Sequence, residues 1–286
     1  MSIVTAPLKW HGGKAYLAQR IIALMPPRVV NGNSPAQDDS GWLHYVEPYF
    51  GGGQVLLAND PEGISEVASD LHGGLINFWK VLADADQFEM FRRLIEATPF
   101  SEERFRAMHL SARKWPHELA AVFFVECRQS LAGRMAGFTG VTKTRTRRGM
   151  NNEVSAWLTA VEGLPAVHER LKRVLVIDQS ALDVICKHDG PRTLFYLDPP
   201  YLHETRATTG EYLHEMTMLE HQALLEQLTE IKGRFILSGY PSPLYDRFEM
   251  DHNWRHVDFD LPNHSSSAKT KQRKTERVWM NYEATP

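Results

Sequence analysis

The sequence is poor in cysteine, which excludes several kinds of stabilised domain. Cys127 and Cys186 are the only two cysteines among the 286 residues, and they lie far apart in the chain. Two isolated cysteines cannot build the disulfide framework of a small secreted domain or a zinc site made of clustered cysteines. We therefore expect a protein of a reducing, cytoplasmic compartment with no metal site.

Long apolar segments are also missing. No run reaches the 18 or more apolar residues of a membrane-spanning helix, and residues 1–9 lack the charged and then apolar pattern of a signal peptide. These absences predict a chain that has no membrane partner. The length suits one large domain, or one domain that carries an inserted module.

Acidic residues are nearly absent from two stretches of the chain. Residues 128–148 contain six basic residues and no acidic one, and residues 263–278 contain five basic residues and one acidic one. The net charge of the chain is nevertheless −3, so these basic windows interrupt an otherwise acidic sequence. Such windows either hold a polyanion or form solvated loops, and charge alone does not decide between the two.

Apolar segments alternate along the chain in the manner of an α/β protein. The pattern predicts helices over residues 14–24, 72–83, 180–187 and 217–231, and strands over residues 42–50, 65–69, 173–177, 193–197 and 234–237, with a closing antiparallel hairpin from 257–261 and 277–282. This alternation predicts a mainly parallel sheet covered by helices. In such sheets, ligands bind beyond the carboxyl ends of the strands.

Residues 84–164 interrupt the alternation. Helical spacing recurs over residues 88–95, 102–111 and 117–129, and a loop-like stretch follows over residues 133–152. Helical spacing then returns over residues 153–171, with a predicted break near residues 163–165. We predict a main domain of residues 1–83 and 165–286 and an inserted helical domain of residues 84–164, which carries the first basic window.

A glycine-rich turn follows the first predicted strand. Gly51, Gly52 and Gly53 leave room for a ligand to approach the backbone closely, although many turns of this kind hold glycines without binding anything. Asp70 ends the next strand. It is placed either to accept hydrogen bonds from ribose hydroxyls or to cap the following helix, and both readings stay open.

The sharpest motif is a rigid loop after the strongest predicted strand. Asp198, Pro199, Pro200 and Tyr201 follow the apolar segment 193–197, and consecutive prolines cannot continue a central strand. The loop therefore places a carboxylate and an aromatic ring at the edge of the sheet. The alternative is that these residues form only a turn at the end of the strand, with a tyrosine that serves packing.

In their order along the chain, these motifs resemble the Dam-like, D12-class N6-adenine DNA methyltransferases. The resemblance rests on a W-x-G-G-K motif at residues 10–14, a Gly-rich loop at 47–53, the segment 69–78, the D-P-P-Y loop at 198–201 and the closing segment 274–281. It implies a class I S-adenosylmethionine-dependent methyltransferase fold, of the Rossmann-like α/β type. It also implies an inserted target-recognition domain and a site-specific adenine DNA methyltransferase activity.

The resemblance further implies which residues meet the cofactor and the reacting amine. In adenine the N6 lone pair is delocalised into the ring, so Asp198 and the Pro199 carbonyl would accept the two N–H groups while Tyr201 stacks on the base. S-adenosylmethionine would become S-adenosylhomocysteine, and no metal is required. The residues expected at the cofactor are Trp10, Lys14, Glu47, Pro48, Gly51, Gly53, Asp70, Asp178, Ser180 and Asp198.

Two positions depart from the family pattern. Gln54 stands where the family often has Ser or Ala, which predicts a crowded first turn of the following helix. Asp178 and Ser180 stand near the expected adenine pocket of the cofactor, but the usual aromatic residue after the acidic one is missing.

The resemblance also implies double-stranded DNA as the partner, bound by a monomer or a weak dimer. A base inside a duplex must be flipped out before it reaches the edge of a sheet. The residues expected to contact DNA are Arg128, Arg134, Lys143, Arg145, Arg147, Arg148, Lys269, Lys271, Arg273 and Lys274. The expected setting is a bacterial or phage-infected cell, including restriction–modification systems.

Two alternatives of other classes remain. One is a methyltransferase that acts on RNA or on a protein amide, because related loops serve those substrates. The other is a DNA-binding protein that kept the fold and lost catalysis. The W-x-G-G-K motif and the long basic insertion favour DNA over the first, and the complete D-P-P-Y loop argues against the second.

Overall fold

Seven strands of the computed structural model form one mixed sheet in the order β5-β2-β1-β6-β7-β9-β8, and two short strands, β3 and β4, form a separate hairpin. The structure describes residues 4–10, 12–29, 41–110, 113–135, 137–202, 216–262 and 273–284. The strands are β1 His44–Glu47, β2 Ser65–Ser69, β3 Thr146–Arg147, β4 Met150–Asn151, β5 Val174–Ile177, β6 Thr193–Leu197, β7 Arg234–Gly239, β8 Arg255–Pro262 and β9 Arg273–Met280.

Helices separate most of these strands along the chain. They are α1 Ala18–Leu24, α2 Gln54–Ala58, α3 Gly73–Ala83, α4 Ala85–Glu96, α5 Glu102–Leu110, α6 Pro116–Gln129, α7 Asn152–Leu171, α8 Ala181–His188, α9 Met218–Glu230 and α10 Pro243–His252. A short 3₁₀ turn covers Leu131–Gly133. None of the described helices is long and apolar enough to cross a membrane.

The register of the sheet brings several strand ends to one edge. Strand β1 pairs in parallel with β2 and β6, and β6 pairs in parallel with β7. Strand β9 then runs antiparallel to both β7 and β8. The carboxyl ends of β1, β2 and β6, at Glu47, Ser69 and Leu197, therefore lie at the same edge.

The predicted α/β sheet and its closing antiparallel pair are confirmed. Strands β2 and β6 have the predicted bounds, and the other predicted strands differ at their ends. The predicted cap of α9 is also confirmed, because Thr217 accepts a hydrogen bond from the Glu220 N–H and the Glu220 carboxylate accepts one from the Thr217 N–H.

Two details of the helices were predicted wrongly. Helix α7 is continuous through Pro165, because Leu164, Val167 and Leu171 bury one face of it and outweigh the single backbone hydrogen bond that proline removes. Helix α10 was not predicted at all. Its start resembles a turn, yet Ser242 caps the helix and Pro243 occupies the first helical position, where proline is favoured.

The chain divides into two compact units. The first consists of Met1–Ala23, Phe50–Glu62 and Asp70–Asp178, and the second of Leu24–Tyr49, Gly63–Ser69 and Gln179–Pro286. The core of the first unit is aromatic. Phe124 on α6 stacks on Phe78 of α3 at 5.8 Å between ring centroids, and it packs against Trp157 of α7 at 5.4 Å. All three side chains are fully or almost fully buried.

The core of the second unit lies between β7, β9 and helices α9 and α10. Trp279 packs against Tyr245 at 4.8 Å between ring centroids, and the Tyr245 hydroxyl is 2.8 Å from Nδ1 of His221. The Trp279 indole N–H donates to Glu249 at 2.9 Å. These buried polar groups are therefore hydrogen-bonded, as the low dielectric constant of a core requires.

A histidine pair lies in the second unit, at the amino ends of β1 and β2. Nε2 of His44 is 3.0 Å from Nδ1 of His188, and Nδ1 of His44 is 2.5 Å from the Ser65 hydroxyl. Burial lowers the pKa of both imidazoles. The positive charge that each neighbour would carry lowers them further, from His188 on His44 and from Lys187 on His188.

This pair predicts a loss of stability in mild acid. Because the folded-state pKa values lie below the ordinary value of 6.5, folding favours the neutral rings, and that contribution is lost as the pH falls from about 6.5 through the lowered values. Replacing His188 by Gln should flatten the dependence of urea unfolding on pH between about 5 and 6.5. The same change at the exposed His252 is the control, and equal curves for wild type and His188→Gln would contradict the prediction.

Candidate functional site

In the first unit, a carboxylate fixes the glycine-rich loop. Asp70 accepts a hydrogen bond from the Gly51 N–H at 2.9 Å on one oxygen and from the His72 N–H at 3.0 Å on the other. Burial raises the pKa of the Asp70 carboxyl, and these two hydrogen bonds partly oppose the rise. The N-cap of α3 is His72, whose Nδ1 accepts a hydrogen bond from the Leu75 N–H. Asp70 therefore anchors the glycine loop and does not itself cap α3.

The glycines of this loop are required by backbone shape and by contacts. Gly51 and Gly53 have positive φ angles of 49° and 69°, which favour glycine. A Cβ atom at Gly52 would lie 2.7 Å from Cβ of Trp10 and 2.6 Å from Nε2 of Gln54. The loop is therefore closely surrounded, and the Gln54 amide would also lie 2.7 Å from a Cβ atom at Gly13.

Aromatic side chains surround the loop within the same unit. The Trp79 indole N–H donates to the Gly51 carbonyl at 3.0 Å. Trp10 packs edge-on against His72 at 5.6 Å between centroids and lies 6.0 Å from Phe123. The half-buried Trp10 ring is thus held beside the glycine backbone.

The structure places the other predicted cofactor residues as follows. Lys14 is buried, and its ammonium donates to the Gly12 carbonyl at 2.8 Å. Asp178 is exposed directly after β5. Ser180 caps α8, because its hydroxyl accepts from the Asp183 N–H at 3.2 Å. The buried Glu47 ends β1 and accepts the Tyr45 hydroxyl at 2.7 Å, and Pro48 follows it in the chain.

The proline loop in the second unit carries a carboxylate held by a buried tyrosine. Asp198, Pro199 and Pro200 follow β6 directly, and the Tyr201 hydroxyl donates to Asp198 at 3.2 Å. The same hydroxyl donates to Glu276 of β9 at 2.7 Å. Burial raises the pKa of Tyr201 well above its ordinary value, and the two carboxylates raise it further.

Two residues of this cluster were not predicted from the sequence. Glu276 lies 75 positions after Tyr201 and is only 2% exposed, so a long-range contact that leaves no local pattern brings it to the loop. Tyr240, which follows β7, packs edge-on against Tyr201 with 4.5 Å between centroids. The one sequence signal for Glu276 is that it is the single acidic residue among the five basic residues of the window 263–278.

The basic residues predicted to contact DNA fall into different environments. Arg128 is largely buried, its guanidinium donates to the Ala156 carbonyl at 2.7 Å, and burial lowers its pKa to about 10. Arg148 forms two hydrogen bonds with Glu162, at 2.9 and 3.0 Å. The exposed residues are Arg134, Lys143, Arg145, Arg147 and Arg148; Lys269 and Lys271 lie outside the described residues, as do the side chains of Arg273 and Lys274.

A tight hairpin presents the first basic window. Thr146 pairs with Asn151 and Arg147 with Met150, so Arg148 and Gly149 form the two-residue turn. Both turn residues have positive φ, 56° and 74°, as a type I′ hairpin turn requires. Asn151 and Glu153 hold the base of the hairpin, through hydrogen bonds of 2.7 and 3.0 Å to the backbone of Thr142.

Comparison with known proteins gives a match over most of the chain. The family model for D12 class N6 adenine-specific DNA methyltransferases matches residues 10–256. Two structures of the rRNA methyltransferase aviRa from Streptomyces viridochromogenes, at 2.4 and 1.5 Å, are 13% and 14% identical to this chain. The alignments cover 93% and 95% of this chain and 83% and 88% of the others, with TM-scores of 0.33 and 0.34. No curated protein matches the chain.

The anchoring role of Asp70 leads to a stability prediction. Asp70→Asn keeps one acceptor oxygen but turns an amide donor toward the Gly51 or the His72 N–H, so we expect a loss of about 1–3 kcal/mol of unfolding free energy. Hydrogen exchange at Gly51 and His72 should become faster in the variant. Asp84→Asn is the matched control, because Asp84 caps α4 through one hydrogen bond, which asparagine can also accept. Equal effects of the two substitutions would contradict the anchoring role.

Proposed function

The chain belongs to the D12 class N6 adenine-specific DNA methyltransferases, and we propose that it methylates N6 of an adenine flipped out of duplex DNA, with S-adenosylmethionine as the methyl donor. The observation that carries this proposal is the D-P-P-Y loop, which follows the buried strand β6 and holds Asp198 against the anchored Tyr201. The strand ends at the sheet edge where this fold class binds its ligands.

The first unit supplies residues that fit the methyl donor. The half-buried Trp10 offers an apolar ring beside the backbone of the glycine loop. A carboxylate has about four lone-pair positions, so Asp70 can accept ribose hydroxyls in addition to its two backbone donors. When bound, S-adenosylmethionine supplies a methyl group that the sulfonium charge already activates.

The second unit supplies the acceptors for the target amine. Asp198 would accept one N–H of the amine and the Pro199 carbonyl the other, which favours a tetrahedral nitrogen and frees its lone pair for the methyl group. The proton that the amine loses after methylation would leave through the Asp198 carboxylate. Orientation of the amine by fixed groups is worth several kcal/mol of the barrier, and the prolines fix the loop for this purpose.

Asp198 is therefore expected to be indispensable for turnover. Asp198→Ala should lower kcat by at least about a hundredfold, because the acceptor at the reacting amine is lost, while DNA affinity changes little. Methyl transfer to duplex DNA and gel-shift titration measure the two quantities. Asp251→Ala, at an exposed position of α10, is the control. A kcat within a few-fold of wild type in Asp198→Ala would reject the role.

The hairpin of β3 and β4 is the proposed DNA contact of the first unit. Lys143, Arg145 and Arg147 are exposed around it, and a hairpin of this size can enter a DNA groove. We do not count Arg128 in this surface, since its half-buried guanidinium donates to the Ala156 carbonyl. Arg148 is bonded to Glu162, so we expect less from it than from its two arginine neighbours.

This assignment predicts the salt dependence of DNA binding. Each phosphate contact contributes roughly 0.9 to the slope of log affinity against log salt concentration. The double variant Arg145→Ala/Arg147→Ala should make the slope less negative by about 1–2, and Arg148→Ala should change it by less than half as much. An unchanged slope in the double variant would place the DNA elsewhere.

The substrate class is tested by transfer of a labelled methyl group. We expect incorporation into duplex DNA and not into RNA or protein. Incorporation into RNA or protein alone would support a methyltransferase that acts on RNA or on a protein amide. Binding of DNA without binding of S-adenosylmethionine in calorimetry would support a protein that has lost catalysis.

A further inference from the structure

One hydroxyl proton in the second unit has two carboxylate acceptors. The Tyr201 hydroxyl is 2.7 Å from Oε1 of Glu276 and 3.2 Å from Oδ1 of Asp198. A phenol carries a single proton, so a strong bond to one acceptor weakens the bond to the other. The shorter distance shows that Glu276 holds the larger share of this proton.

The fold fixes Glu276 in this position. It lies on β9, opposite Phe259 of β8, and only 2% of it is exposed. A buried carboxylate is costly unless donors satisfy it, and the Tyr201 hydroxyl is such a donor. The Tyr201 ring is itself buried and packs edge-on against Tyr240, so the hydroxyl cannot move far from the two carboxylates.

We propose that Glu276 is a positioning residue for methyl transfer: it holds the hydroxyl proton of Tyr201 away from Asp198, which leaves Oδ1 of Asp198 a better acceptor for the N–H of the target amine. The inference rests on the proposed function, since it assigns Asp198 to that amine. Without Glu276, the full hydrogen bond of Tyr201 would fall on Asp198. The hydroxyl would then compete with the amine for the same oxygen.

Four variants separate this role from a simple loss of packing. Glu276→Leu should lower kcat about 10–100-fold with little change in the affinity for DNA. Glu276→Gln keeps an acceptor oxygen and should stay within a few-fold of wild type. Tyr201→Phe removes the competing donor, so the double variant Tyr201→Phe/Glu276→Leu should recover most of the activity that Glu276→Leu loses. Glu230→Leu, at an exposed position of α9, is the control.

The dependence of kcat on pH gives a second test of the role of Glu276. A donor to Asp198 and the loss of the neighbouring negative charge both favour the ionised carboxylate, so the acidic limb of kcat should move to lower pH in Glu276→Leu. A double variant as inactive as Glu276→Leu, or an acidic limb that does not move, would overturn the inference.

Infrared spectroscopy tests the hydrogen bond without relying on activity. In protein labelled with ¹³C-aspartate, the carboxylate band of Asp198 is identified by its loss in Asp198→Asn. The band should shift in Glu276→Leu and return in the double variant. Absence of the shift would overturn the inference whatever the activity. A shift in a protein that does not methylate DNA would support the hydrogen-bond assignment and reject the proposed function instead.

Discussion

The hydrogen bonds of Asp70 are the constraint on which the candidate cofactor region depends. One carboxylate fixes both the glycine loop, through the Gly51 N–H, and the start of α3, through the His72 N–H. Positive φ angles and close neighbours mean that the loop has few other arrangements, and Trp79 secures its carbonyl side. A ligand that binds this backbone therefore meets a surface that is already ordered, which lowers the entropy cost of binding.

The proline loop of residues 198–201 and the basic hairpin of β3 and β4 are held in place in different ways. The loop is rigid because two prolines and a buried, doubly hydrogen-bonded tyrosine hold it. The hairpin is anchored at its base by Asn151 and Glu153 and at its turn by the bonds of Arg148 to Glu162, while the side chains of Arg145 and Arg147 are exposed. Chemistry needs atoms fixed to within fractions of an ångström, whereas phosphate contacts tolerate mobile side chains because the Coulomb interaction falls off slowly.

Local sequence was sufficient for the features that depend on local chemistry. The strands that end at Asp70 and Asp198, the capping box at Thr217 and the fixed loop of two prolines could all be read from neighbouring residues. Local sequence was insufficient to predict contacts between residues that are far apart in the chain. No spacing rule places Glu276 at Tyr201, and a count of basic residues does not separate the half-buried Arg128 from its exposed neighbours. Tertiary packing also keeps α7 intact through Pro165, against its local preference.

The proposed function requires that the amine methylated by this chain is N6 of adenine. The most direct measurement is mass spectrometry of the nucleosides released from duplex DNA after incubation with the protein and S-adenosylmethionine. We expect N6-methyl-2′-deoxyadenosine and no methylated cytosine. Methylation of cytosine, or an unmodified duplex under conditions in which the protein binds both DNA and S-adenosylmethionine, would contradict it.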